Sequence, residues 1–135
     1  MKTLTIRWQR LVNESGQTCT RCADTGSTVE NAYNKLKKSL VELGIEVELK
    51  KEILDFSIFT DDPLQSNRIW IAGRPLEEWI GASVGKTQCC DACGESECRT
   101  ISIDQKTFEI IPEEMIIQAG LLAAAELLKN GFQDK

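Results

Sequence analysis

The strongest constraint on the fold is a change of hydrophobic period that occurs twice before residue 54. Leu4, Ile6 and Trp8 alternate with polar neighbours, and Val12 keeps the same phase after a break at Arg10. A two-residue period marks a strand with one buried face. Val29, Ala32, Tyr33, Leu36, Leu40 and Leu43 then fall three and four residues apart, which makes one apolar face of a helix. Asn13 to Ser27 is polar and predicts a loop over at least part of its length, and Ser27 with Glu30 has capping-box spacing, the best cap for the helix that follows, with an earlier start left open. Gly44 supplies the stop. Ile45, Val47, Leu49, Lys51 and Ile53 restore the alternation. Strand, helix and strand in this order predict a βαβ unit with parallel strands.

The second half adds shorter elements. Asp61-Asp62-Pro63 marks a turn, and Ile69 to Ala72 is an apolar run suited to a central strand. Pro75 to Ile80 predicts a short helix, with Glu77 and Glu78 favoured in its first turn by the helix dipole. Thr100–Ile103 and Thr107–Ile110 predict a hairpin around Asp104-Gln105-Lys106. Pro112 is placed to open a last helix, followed by Glu113 and Glu114. That helix carries Met115, Ile116, Ala119, Leu122, Ala123 and Leu127, with Leu121 and Leu128 widening the stripe. Deep burial accounts for the width, and so does a homodimer seam. The expectation is a single α/β domain over residues 1–135, an open sheet completed by the hairpin and final helix.

Six cysteines and no histidine narrow the chemistry. Ser-His-Asp triads, Cys-His pairs and mixed Cys/His zinc sites are excluded within one chain. A net charge of −5 argues against nucleic acid as a partner. No segment reaches the roughly 20 apolar residues of a membrane span. The N-terminal stretch is interrupted by Arg7 and Arg10 and lacks a signal-peptide core, so a cytoplasmic location is expected. In that compartment clustered cysteines mean metal or redox work more often than disulfides.

The cysteines form two groups. Cys19 and Cys22 make a CxxC, spaced to close a tight disulfide or grip one soft ion, with Arg21 between them as a cation that favours thiolate. Cys89, Cys90, Cys93 and Cys98 fall within ten residues. Cys90 and Cys93 form a knuckle-like half site, Cys98 adds a third ligand, and Cys89 serves as accessory or odd thiol. Three thiolates suit zinc and also As(III) or Hg(II). Asp91, Glu95 and Glu97 make the stretch acidic, which draws cations and raises thiol pKa values, favouring metal over fast disulfide exchange. Arg68 and Arg74 flank the central strand, as a solvated strand end or as an anion site for carboxylates.

Strand, Thr18-Cys19-Thr20-Arg21-Cys22, helix to Leu43-Gly44, then Arg68 to Glu77, the second cysteine group and Ile111-Pro112-Glu113-Glu114 resemble the thioredoxin-like superfamily. Within it the chain looks most like a small prokaryotic cysteine-rich family of unknown function. The resemblance implies a thioredoxin-like open sheet with flanking helices and a cysteine-rich loop insertion. Two departures stand out. No proline precedes the central strand, where Asn67 stands, and the predicted helix cap lies beyond the CxxC. Three functions follow as expectations. The first is soft-metal or metalloid binding by Cys89, Cys90, Cys93 and Cys98, with zinc or another soft ion. The second is a thiol–disulfide oxidoreductase with Cys19 as nucleophile and Cys22 as resolving thiol, acting on a thiol or disulfide substrate. The third is an interaction domain with structural zinc.

Overall fold

The βαβ unit forms as the changes of period require. The computed structural model describes residues 2–11, 20–54, 67–88 and 97–133. β1 (Lys2–Leu11) and β2 (Ile45–Leu54) pair in parallel, from Lys2 opposite Ile45 to Leu11 opposite Leu54. α1 (Thr20–Leu40) crosses between them. β3 (Arg68–Ile71) lies antiparallel to β1, with Ile6 opposite Ile71, and β4 (Arg74–Pro75) returns antiparallel to β3. The sheet order β2-β1-β3-β4 is the thioredoxin-like α/β arrangement.

Alternation puts Leu4, Ile6 and Trp8 of β1, Ile45 and Val47 of β2, and Ile69 and Ile71 of β3 in the core. Val29, Ala32, Leu36 and Leu40 of α1 cover them together with α3 (Glu113–Gln133), which contributes Met115, Ile116, Ala119, Ala123 and Ala124. Small residues allow α3 to approach α1 closely, since a Cβ on Gly120 would stand 2.5 Å from Leu36 Cδ1. Lys35 also pairs with Glu113. The other face of the sheet is polar. There Arg7 pairs with Glu52, and the Arg7 and Arg68 guanidiniums lie 4.1 and 4.6 Å from the centre of the Trp70 ring. No helix among the described residues is long and apolar enough to cross a membrane.

Four expectations need correction. α1 starts at Thr20, so Thr20–Ser27 is helix rather than loop, and Ser27 lies inside it. A capping box is a local signal, and tertiary hydrogen bonds at Thr25 and Thr28 override it. Thr28 Oγ1 lies 2.8 Å from Thr25 O and 2.6 Å from Ile111 O, sharing its one proton between them. Leu43 is not on the buried face: α1 ends at Leu40, a 3-10 turn covers Val41–Leu43, and Leu43 is exposed. Gly44 stops the turn at φ 77° as expected.

The third correction is to the hairpin, which does not complete the main sheet. β6 (Glu97–Ile103) and β7 (Lys106–Phe108) join β5 (Ser83–Gln88) in a separate antiparallel sheet, ordered β5-β6-β7. Its turn residues Asp104 and Gln105 take φ of 52° and 68°, the left-handed pair of a two-residue hairpin loop. Fourth, Cys98 belongs to β6 rather than to a loop. α2 (Leu76–Ile80) follows Pro75 as predicted.

Trp8 packs on α1 where the helix has no side chain: a Cβ on Gly26 would stand 2.6 Å from Trp8 Cη2. In an open helix Gly→Ala gains about 1 kcal/mol. Here the indole is hydrogen-bonded in place, and overpacking costs about 1–3 kcal/mol. Gly26→Ala is therefore expected to destabilise the protein in urea unfolding. The Glu113 carboxylate, by hydrogen bond and then by charge, raises the Lys35 pKa above its ordinary 10.5. The pair's contribution is complete below that value and fades as pH rises through the higher folded value. Lys35→Met should flatten this alkaline part of a stability–pH curve.

Candidate functional site

Cys22 is the third residue of α1, and Cys19 directly precedes the first. The CxxC thus spans the beginning of the helix that follows β1, and the second departure noted from the sequence disappears. No acidic residue occupies the first turn of α1, so the positive end of its dipole is not offset there. A helix N-terminus is an environment that lowers thiol pKa values.

A buried hydrogen-bond network lies one turn further along. Trp8 Nε1 donates to Asn67 Oδ1 at 3.0 Å, and Asn67 Nδ2 donates to Thr25 Oγ1 at 3.2 Å. Ile111 N donates to the same hydroxyl oxygen at 3.2 Å. The network joins β1, the entrance to β3, α1 and the approach to α3. Thr25 follows Cys22 by three residues, about 4.5 Å along the axis at 1.5 Å per residue. Asn67 takes φ 58°, and no peptide bond among the described residues is cis. A left-handed asparagine therefore stands at the strand entrance where the resemblance implies a proline. Asparagine enters this region more readily than other residues with a Cβ.

The second cysteine group is tied to β5 and β6. Gln88 pairs with Glu97, and Thr87 pairs with Cys98. Cys89 follows the Gln88–Glu97 rung directly, and Cys98 lies one residue inside it. Cys19, Cys89, Cys90 and Cys93 lie outside the described residues, and so does the shared site that would join the two sulfur groups. Among the described residues, no three His, Cys, Asp or Glu side chains converge to hold a metal. Next to Cys98, Arg99 is buried and pairs with Glu77 of α2, which fastens the second sheet to the core.

Arg68 and Arg74 lie over aromatic rings. Arg74 is 4.1 Å from the Trp79 ring centre and 3.7 Å from Glu126 Oε2, so the basic pair flanking β3 is built into the surface. Trp79 Nε1 donates to Ile71 O at 2.8 Å. Sequence reasoning missed Thr25 as a structural hub. It noted Asn67 only as a missing proline, although a polar residue just before an apolar strand was the available signal.

Fold and site define a class: an α/β protein of thioredoxin-like strand order whose sequence carries a CxxC where the helix after β1 begins. The chain belongs to the family described as a domain of unknown function (DUF2703), which matches residues 4–120. That span includes all six cysteines. It is similar to an uncharacterised protein of Archaeoglobus fulgidus, 45% identical over 113 residues, which are 84% of this chain and 82% of that protein. No solved structure matches it.

Asn67→Ala removes the acceptor of a buried indole N–H and the residue suited to positive φ. An unsatisfied buried group costs about 1–3 kcal/mol, and the left-handed backbone about 1–2 kcal/mol. Equilibrium unfolding should show a loss of roughly 2–5 kcal/mol, combining these two effects. Trp8 emission should shift as its hydrogen bond is lost.

Proposed function

We propose that this chain is a thioredoxin-like protein that binds a soft metal or metalloid ion through cysteine thiolates. Cys90, Cys93 and Cys98 are the ligands, Cys89 is an accessory thiol, and Cys19 with Cys22 forms a second sulfur pair. The supporting observation is the β5–β6 register: the Gln88–Glu97 rung brings the two ends of a four-cysteine segment together. Antiparallel partners have Cα atoms about 4.5–5.5 Å apart. The donor set fits a soft ion, because no histidine exists to compete and Asp91, Glu95 and Glu97 attract cations. Zinc, As(III) and Hg(II) all suit such ligands. A reducing cytoplasm would keep the thiols available.

Anaerobically purified protein should take up zinc, As(III) or Hg(II), measured by elemental analysis and thiolate charge-transfer absorption. Losing an outer-shell partner already costs 10–100-fold in affinity, so Cys90→Ser with Cys93→Ser should lose more than about 100-fold. A protein that ignores all three ions overturns the proposal.

A second reading is favoured by one observation, the position of Cys22 in the first turn of α1. Cys19 thiolate would attack a substrate disulfide and release one substrate thiolate. Cys22 thiolate would then attack the Cys19 sulfur, release the second, and leave a Cys19–Cys22 disulfide for an external thiol to reduce. This reading expects disulfide reductase activity that Cys19→Ser abolishes, and full activity in that variant removes it.

A further inference from the structure

Leu121, Leu122 and Leu128 of α3 are 49%, 42% and 41% exposed. Glu114, Gln118 and Ala125 are exposed as well, and so is Lys129. At 100° per residue these seven positions fall within an arc of roughly 120°, so they form one stripe. The opposite face of α3 is in the core, through Ile116, Ala119 and Ala123. The stripe is apolar in its middle and charged at its ends, negative at Glu114 and positive at Lys129. Neither end residue makes an ion pair among the described residues, whereas Glu113 and Glu126, which lie off the stripe, are both paired.

We propose that two copies of this chain pair through this stripe, with their α3 helices antiparallel about a twofold axis passing between Leu121 and Leu122. The charge pattern selects this occupant and this direction. Antiparallel pairing places Leu121 against Leu122 of the partner subunit and Gln118 against Ala125 of the partner subunit. It also places Glu114 against Lys129 of the partner subunit, and the symmetry makes each of these contacts twice. A parallel pair would set Glu114 against its own copy, and Lys129 likewise. Antiparallel helices also oppose their dipoles. The seam is a single helix face about four turns long, so the dimer is expected to dissociate on dilution. The inference is independent of the sulfur chemistry, because no cysteine lies on the stripe.

Sedimentation equilibrium of the full chain over a wide concentration range tests it. The expected result is a reversible monomer–dimer equilibrium in the micromolar range. Leu121→Glu with Leu128→Glu should remain monomeric at concentrations where the native chain is dimeric, with an unchanged circular dichroism spectrum. Glu114→Lys alone should weaken association about tenfold or more, by setting like charges opposite each other twice. Adding Lys129→Glu should restore it, which a folding defect would not do. A native chain that is monomeric throughout, a dimer indifferent to the leucine substitutions, or a charge swap that fails to restore association overturns the proposal.

Discussion

The hydroxyl of Thr25 holds the architecture of the candidate site together. It accepts hydrogen bonds from the Asn67 amide and from the backbone of Ile111, and Asn67 in turn accepts from the Trp8 indole. Each group is buried, and each would cost about 1–3 kcal/mol if left without a partner. Satisfying them all requires α1 to be helical at Thr25, β3 to begin directly after Asn67, and the chain entering α3 to pass beside both. The same requirement fixes Trp8 over Gly26, where the helix has no side chain to resist it. The strongest local start signal for α1 is Ser27, seven residues after Thr20 (27 − 20). Tertiary hydrogen bonding, rather than local propensity, therefore carries the helix back to the CxxC.

The parts of the fold that were legible in the sequence are those governed by period and by backbone restriction. β1, α1 and β2 follow from hydrophobic spacing, and Gly44 and Pro75 end or begin elements because of the φ values they allow. β5 was not legible. Ser83-Val84-Gly85-Lys86-Thr87-Gln88 has one large apolar residue and a glycine at its centre, and its strand character comes from pairing with β6. Gly85 lies so close to Thr100 that a Cβ would stand 2.9 Å from Oγ1, a constraint that exists only once the two strands meet. The separate sheet escaped for the same reason. Periodicity identifies strands, while the choice of neighbour is made by contacts distant in sequence.

The site divides along the same line. The cysteines announce sulfur chemistry by residue type and spacing, and the absence of histidine restricts their options. Their setting was not available in the same way. Cys98 sits inside a ladder because Thr87 pairs with it, and the neighbouring Arg99 is buried against Glu77 of a helix 22 residues away in sequence. Thr25, between Asp24 and Gly26, carries every local mark of a loop residue. Only the partners in other elements give it a helical position and a role.

Asn67 bears on the setting of the first sulfur pair. A proline at the strand entrance has no side-chain polar atoms and leaves its backbone edge as the feature presented there. In this chain both polar atoms of the Asn67 side chain are used inside the protein, one by Trp8 and one by Thr25. The strand entrance is thereby committed to stability, and its left-handed backbone is held by buried hydrogen bonds to β1 and α1. Fixing α1 through Thr25, three residues after Cys22, therefore bears on the Cys19–Cys22 pair, whereas the proposed ligands Cys90, Cys93 and Cys98 depend on the β5–β6 ladder instead.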